Sequence, residues 1–156
     1  MESSDKNSIP KHAIHKVLAD SYTVHFILFL IGVVLDLIFN FQFFSSTLVT
    51  PFGIFFLILG TFLVFWAQKT SRNIKKENIS KETFCKGPYC YTRTPTNFGL
   101  LFLVLGFGLI INAFFVVLSA FISFIVSKLI FLKKQEKMLA SKYGAPYLEY
   151  KKTVKF

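Results

Sequence analysis

Residues 98–132 read FGLLFLVLGFGLIINAFFVVLSAFISFIVSKLIFL, an apolar run broken near its middle by Asn112. As one helix this run would extend about 52 Å, which exceeds the roughly 30 Å hydrocarbon core of a bilayer. Folded at Ile111-Asn112-Ala113, it gives two short antiparallel spans instead. The run therefore predicts a tight helical hairpin inside a membrane.

The whole 156-residue chain has the composition of a membrane protein. Hydrophobic residues make up 53% of it, with 21 phenylalanines, which is more apolar surface than one soluble domain of this length hides. The net charge of +10 comes from separated basic blocks, and Lys16 to Lys69 and Arg93 to Lys128 enclose no Lys or Arg. Because each block borders an apolar run, the charge predicts membrane topology rather than nucleic-acid binding.

These patterns predict an all-α, multi-pass membrane protein in which residues 1–156 form a single domain. The predicted spans are about 22–41, 50–68, 98–111 and 113–132. With four spans, both termini and the connector 69–97 share one side, which the positive-inside rule makes cytosolic; the identity of the membrane stays open. The glycines expected to allow close helix packing are Gly53, Gly60, Gly99, Gly106 and Gly108.

Three polar residues of the first predicted span need a reason to lie in a membrane. His25 and Asn40 lie near the two ends of the span, where an interfacial position suffices. Asp36 lies deeper, and an intramembrane carboxylate is a candidate for function by default. We favour a hydrogen bond from Asp36 to a neighbouring helix over a functional role.

The two cysteines, Cys85 and Cys90, lie in the predicted cytosolic connector. Disulfides are rare in that reducing compartment, so we expect free thiols. We also expect no metal site, because His12, His15 and His25 are far from the cysteines in sequence and a second cysteine pair is absent.

The polar segment 81–99, KETFCKGPYCYTRTPTNFG, lies on the same predicted face as the C-terminal segment 133–152. Together they offer Arg93 as a partner for anions, Glu136 as an acceptor, and several tyrosine rings. This mixture suits a ligand that is part cation, part anion and part ring. The chain lacks a G-x-G-x-x-G motif, a P-loop and a Ser/His/Asp set, so Rossmann chemistry, phosphoryl transfer and hydrolysis have no visible residues.

The motif G-P-Y-x-Y-x-R-x-P-x-x-x-G, from Gly87 to Gly99, resembles the integral-membrane methyltransferases. That superfamily includes isoprenylcysteine carboxyl methyltransferase and the phospholipid N-methyltransferases. After a helical hairpin its members carry E-E-x-x-L and then F-G-x-x-Y-x-x-Y, where this chain has QEKML at 135–139 and YGAPYLEY at 143–150. The resemblance extends over about residues 81–152 and keeps both motifs in order and spacing.

The resemblance implies methyl transfer from S-adenosyl-L-methionine to a lipid or lipidated protein that enters from the bilayer, without a metal. By position, the implied cofactor-binding residues are Lys81, Phe84, Tyr89, Thr94, Pro95, Thr96, Asn97, Gln135 and Glu136. Catalytic roles fall to Arg93, which braces the turn or neutralises a carboxylate, and to Glu136, which accepts the proton of an amine substrate. Tyr147 is the implied substrate contact.

The chain departs from the family motifs at four positions. Thr94 stands for the motif His, Asn97 for the motif Tyr and Gln135 for the first Glu of the pair. Phe131 occupies the place of a substrate-binding Arg in the prenylcysteine enzymes. Thr, Asn and Gln keep the capacity to hydrogen-bond, so cofactor binding remains the expectation.

The predicted function is that of an isoprenylcysteine-carboxyl-methyltransferase-like O-methyltransferase, with a phospholipid N-methyltransferase as the first alternative. A membrane sterol reductase-like oxidoreductase is a second alternative. It is disfavoured because Thr96 and Leu100 stand where those enzymes are expected to carry Asn and Glu. A non-catalytic membrane homologue is the third.

Overall fold

The computed structural model of the chain describes residues 11–41, 49–72 and 81–154. Every regular element among these residues is helical, which confirms the predicted all-α class. The elements are α1 Lys11–Phe39, α2 Val49–Arg72, α3 Lys81–Phe84, a 3-10 turn Gly87–Cys90, α4 Pro95–Ile110, α5 Phe114–Val126, a π-helical segment Ser127–Phe131, α6 Leu132–Tyr143 and α7 Ala145–Thr153.

The predicted hairpin is confirmed, with its turn where the polar break lies. Helix α4 ends at Ile110 and α5 begins at Phe114. Between them Asn112 adopts a left-handed conformation with φ of 56°, which asparagine tolerates better than most residues. The Ala113 N–H donates to the Gly108 carbonyl oxygen at 2.8 Å and closes the turn.

Three stretches of described helix are long and apolar enough to cross a membrane: Ala19–Phe39, Val49–Arg72 and Phe114–Tyr143. The third joins α5, the π-helical segment and α6 into one rod, which continues past the predicted end of the span at Leu132 and stops at Gly144, where φ is 62°. Helix α4 is apolar but has 16 residues, or about 24 Å of rise. Among the described helices that correspond to the four predicted spans, α4 is the one shorter than the roughly 30 Å core.

Helices α2 and α4 run antiparallel along a seam of glycines. A Cβ added at Gly60 would lie 2.8 Å from the Gly99 carbonyl oxygen, and one added at Gly53 would lie 2.9 Å from the Gly106 carbonyl oxygen. On each helix the two glycines are spaced by one heptad, so they keep facing the same partner. The predicted close approach is confirmed at these four positions.

Asp36 joins α1 to the start of α5. Its two carboxylate oxygens accept hydrogen bonds from the backbone N–H groups of Phe115, at 3.1 Å, and Val116, at 2.8 Å. Helix α5 has no side-chain cap of its own at Ala113, so a carboxylate from another helix fills that role. The expected hydrogen bond to a neighbouring helix is confirmed, and it accounts for a carboxylate within an apolar helix.

Asp36→Ala is expected to lower the free energy of unfolding by about 2 kcal/mol, because two N–H groups lose their acceptor in apolar surroundings. Asp36→Asn keeps one acceptor oxygen and should cost about half as much. Equilibrium unfolding in detergent micelles, followed by circular dichroism, measures both. Val34→Ala on the exposed face of α1 is the control. A loss for Asp36→Ala no larger than for the control would contradict the capping role.

Helix α1 packs antiparallel to the α5–α6 rod along its length. At one end Gly32 lies against the Phe115 carbonyl oxygen and Ser119, and at the other the hydroxyls of Ser21 and Ser127 are 3.1 Å apart. The end of the bundle at which Ser21 and Ser127 lie also contains the last turn of α2 and the first turn of α4. We call it the connector end of the bundle, and the sequence-predicted site residues lie there.

Candidate functional site

The connector is folded tightly against the end of α2. Gly87 has φ of 55°, and a Cβ there would lie 2.7 Å from the Thr70 hydroxyl oxygen. Pro88 then opens the 3-10 turn and is buried. This close approach places the following residues, up to the start of α4 at Pro95, beside the last turn of α2.

Cys85 and Cys90 form a disulfide, so the expectation of free thiols is wrong. The bend at Gly87 and the 3-10 turn return the chain on itself and bring the two Cα atoms within 4.4 Å. The expectation came from the predicted compartment, whereas the pairing comes from local geometry. A disulfide is typical of an oxidising compartment and the basic blocks of a cytosolic one, so the two features point to opposite sides for this connector.

Arg93 and Glu136 form a salt bridge that joins the connector to α6. Their side chains are only 15% and 10% exposed, so the pair is largely withdrawn from water. Lys151 Nζ lies 2.7 Å from the other carboxylate oxygen of Glu136 and is 43% exposed. One carboxylate thus serves two cations, and we call these three residues the ion-pair cluster.

Beside it lies the aromatic cluster, formed by Phe84, Tyr143, Tyr147 and Tyr150. The Phe84 ring centroid lies 5.2 Å, 5.6 Å and 5.7 Å from those of the three tyrosines, in that order. The Tyr150 hydroxyl donates a hydrogen bond to the Tyr89 carbonyl oxygen at 2.7 Å. Helix α7 therefore contacts the connector through this bond as well as through the Phe84 ring. The segments 81–99 and 133–152 are therefore in contact.

The buried tyrosines of this site stay protonated over the physiological range. Burial, followed by the Glu136 carboxylate, raises the pKa of Tyr147 to about 12. Burial also raises the pKa of Tyr150, and Tyr147 adds to the effect. Their hydroxyls are therefore hydrogen-bond donors at neutral pH and not phenolate bases.

A second polar group lies deeper, where the connector meets the helices. The Tyr89 side chain lies close to those of Thr96 and Ser71, and Thr96 is also close to Tyr22 of α1. Burial raises the pKa of Tyr89, so this phenol too remains protonated at neutral pH. Tyr89 thus places the connector beside α2, and Thr96, at the start of α4, lies beside both Tyr89 and α1.

Beneath Thr96 a cavity of about 640 Å³ lies between α1, α2 and α4. Its walls are mainly apolar, including Phe29, Leu57, Val104 and Phe107. The polar lining residues are Tyr22, His25, Gln68 and Thr96, which lie toward the connector end. We call this space the α1–α4 cavity.

The structure brings together six of the sequence-predicted site residues: Phe84, Tyr89, Arg93, Thr96, Glu136 and Tyr147. Pro95 is buried at the start of α4, and Thr94, Asn97 and Gln135 are partly buried nearby in the chain, with roles that stay predictions. Lys81 begins α3, but its side chain lies outside the described residues.

Sequence reasoning missed three contributors to the site. Lys151 was not singled out, because a lysine in a basic tail carries no spacing signal. Tyr22 and Ser71 lie in other segments, and the proximity of Tyr22 to Thr96 and of Ser71 to Tyr89 arises only from tertiary packing. Comparison with known proteins adds no assignment to this geometry: the chain matches no protein-family model, no curated protein and no solved structure.

Proposed function

We propose that this chain is a membrane-embedded methyltransferase that uses S-adenosyl-L-methionine to methylate a lipophilic substrate. The observation that carries the proposal is the contact between segments 81–99 and 133–152, made by Arg93 with Glu136 and by Tyr150 with Tyr89. These are the two segments in which the methyltransferase-like motifs lie. Contact between them is what a shared cofactor site requires.

The residues of the two clusters fit this cofactor. The ion-pair cluster has two cations for one carboxylate, which leaves positive charge for the cofactor carboxylate. Lys151 is the more exposed cation and the one free to turn toward a ligand. Tyr143 is the partly buried tyrosine of the aromatic cluster, and its ring, which already has the Lys142 ammonium 5.1 Å from its centroid, suits a sulfonium, which is a cation. The cofactor, when bound, supplies an electrophilic methyl group.

The remaining roles follow from the same contacts. Arg93 and Glu136 brace the site, because each is the buried partner of the other. Tyr147, held neutral, donates a hydrogen bond to the ligand. Orientation of the reactants beside the α1–α4 cavity then provides most of the rate enhancement.

We further propose that α4 is a fourth span, tilted or thinning the bilayer locally to match its length. Both termini and the connector would then lie on the cytosolic side, because we weigh the three basic blocks above the single Cys85–Cys90 disulfide, which is typical of an oxidising compartment. The glycine seam supports this arrangement, since it aligns α4 with a helix long enough to span.

Calorimetric titration of the detergent-solubilised protein with S-adenosyl-L-methionine and with NADPH tests the cofactor assignment. We expect binding of the first only. Gln135→Ala and Asn97→Ala should each weaken it about fivefold, the effect of one lost hydrogen bond of about 1 kcal/mol. These residues suit the test because neither belongs to the ion-pair cluster.

Lys137→Ala, at an exposed position of α6, is the matched control and should bind like wild type. Folded wild-type protein that binds neither cofactor would overturn the methyltransferase assignment. Binding of NADPH alone would favour the oxidoreductase alternative.

A further inference from the structure

The Cys85–Cys90 disulfide joins two parts of the connector that rest on different helices. Cys85 follows α3, whose last residue, Phe84, belongs to the aromatic cluster, and Cys85 itself packs against buried residues in and just after α7. Cys90 ends the 3-10 turn, which rests on α2 through the close approach of Gly87 to Thr70. The disulfide therefore links the part of the connector beside α7 to the part beside α2.

Helix α7 is held by residues on both sides of this cross-link. The rings of Tyr147 and Tyr150 pack against Phe84, and the Tyr150 hydroxyl donates a hydrogen bond to the Tyr89 carbonyl oxygen. Phe84 and Tyr89 each directly precede one cysteine of the pair. The cross-link therefore fixes the position of one contact to α7 relative to the other.

The position of α7 matters because this helix completes the candidate site. Its Tyr147 is 3% exposed, and its Lys151 contacts one carboxylate oxygen of Glu136. Helix α3, against which α7 packs, has four residues. A helix this short has little stability of its own, so its position depends on what it is joined to. Opening the disulfide removes one of those connections.

The disulfide is within reach of a thiol in solution. Cys85 and Cys90 are partly buried, and the neighbouring Lys86 and Tyr91 are exposed. Access is needed because thiol–disulfide exchange begins with direct attack of a thiolate on one sulfur. On the cytosolic side proposed above for the connector, a disulfide is typically transient and has a catalytic or redox-sensing role. Sensing suits this pair, since the residues that precede both cysteines hold α7.

We infer that Cys85–Cys90 is a redox modification site whose state controls the docking of α7. In the disulfide form α7 is docked and the candidate site is assembled, whereas reduction by a thiol releases α7 from the connector. A thiolate of the reductant attacks one sulfur and forms a mixed disulfide, which a second thiol of the reductant resolves. Two electrons and two protons pass to the cysteines, and the reductant leaves as its disulfide. A disulfide of the same class reverses the exchange.

Hydrogen exchange with mass spectrometry, on the full chain in nanodiscs with and without dithiothreitol, measures the docking of α7. The α7 amides should exchange about tenfold faster in the reduced form, because a cross-link that limits local opening has been removed. The amides of α5 are the internal control and should exchange equally in both forms. Oxidised glutathione, added after dithiothreitol is removed, should restore slow exchange in α7.

Two variants separate the disulfide from the hydrogen bond beside it. Cys85→Ser/Cys90→Ser should exchange at α7 like the reduced wild type and should not respond to dithiothreitol. Tyr150→Phe keeps the disulfide but removes the hydroxyl that contacts Tyr89, so α7 should exchange about fivefold faster and still respond. Tyr91→Phe is the matched control, because Tyr91 is 78% exposed.

Maleimide labelling, counted by intact mass, reports the state of the two cysteines. Protein treated with oxidised glutathione should take up label only after reduction. Reduced glutathione and reduced thioredoxin, used in parallel, distinguish a small thiol from a protein dithiol as the reductant. Labelling of the oxidised sample, reduction by neither reagent, or equal α7 exchange in the two forms would overturn the inference. Faster exchange in α5 as well would also overturn it, since the disulfide would then support the whole bundle.

The consequence for the cofactor rests on the proposed function, whereas the docking of α7 does not. Because α7 contributes Tyr147 and Lys151 to the site, the reduced protein should bind S-adenosyl-L-methionine about tenfold more weakly than the disulfide form. Redox-dependent α7 exchange without any cofactor binding would leave the switch and remove the methyltransferase. Cofactor binding with unchanged α7 exchange would leave the methyltransferase and remove the switch.

Discussion

Arg93→Ala is expected to lower the free energy of unfolding by about 3 kcal/mol, because it leaves the Glu136 carboxylate without its buried partner. Both side chains are at least 85% withdrawn from solvent, so water replaces the lost contact poorly. Lys151 cannot compensate fully, since it holds the other carboxylate oxygen from an exposed position. Denaturant unfolding in detergent micelles, followed by circular dichroism, measures the loss. The same variant should bind S-adenosyl-L-methionine more weakly than wild type.

The internal control is Lys151→Ala, which removes the second cation of the same carboxylate. Because Lys151 is 43% exposed, this change should cost less than about 1 kcal/mol. The double variant Arg93→Ala/Glu136→Ala should lose less than the sum of its single variants, by about 2 kcal/mol, since the two side chains act as one unit. Equal costs for Arg93→Ala and Lys151→Ala, or strict additivity, would contradict a buried pair that joins the connector to α6.

The helices were predictable because their causes are local. Asn112 interrupts an apolar run too long for one span, and the hairpin turn lies there. Gly144 stops α6 at the position where a glycine between two helical patterns is expected to do so. The glycines of α2 and α4 indicated close packing, since they add flat surface to otherwise bulky helices.

The partners of individual polar groups were not predictable in the same way. Asp36 was expected to bond to another helix, but only the packing of α1 against α5 identifies the Phe115 and Val116 N–H groups. Whether His25 Nε2 finds a partner likewise depends on which helices pack around it, and among the described residues it has none. The prediction of free thiols at Cys85 and Cys90 was wrong. The predicted compartment disfavoured a disulfide, but the 3-10 turn between the two cysteines brings them together.

Gly60→Leu is expected to separate α2 from α4 and to lower the free energy of unfolding by about 3 kcal/mol or more. A Cβ at this position would lie 2.8 Å from both the Gly99 carbonyl oxygen and the Leu103 backbone nitrogen. These are backbone atoms, so relief requires a helix to move rather than a side chain to rotate. That movement would also displace Thr96 and the wall of the α1–α4 cavity.

Thr61→Leu is the matched control, because it adds a leucine at the next position of α2, on its exposed face. It should leave the free energy of unfolding close to that of the wild type. Gly60→Ala should fall between the two, since it introduces the clashing Cβ without the rest of the side chain. Unfolding in micelles orders the three variants by free energy. If Gly60→Leu and Thr61→Leu unfold alike, the two helices are not held at glycine-to-glycine distance, and the cavity between α1, α2 and α4 loses its rigid wall.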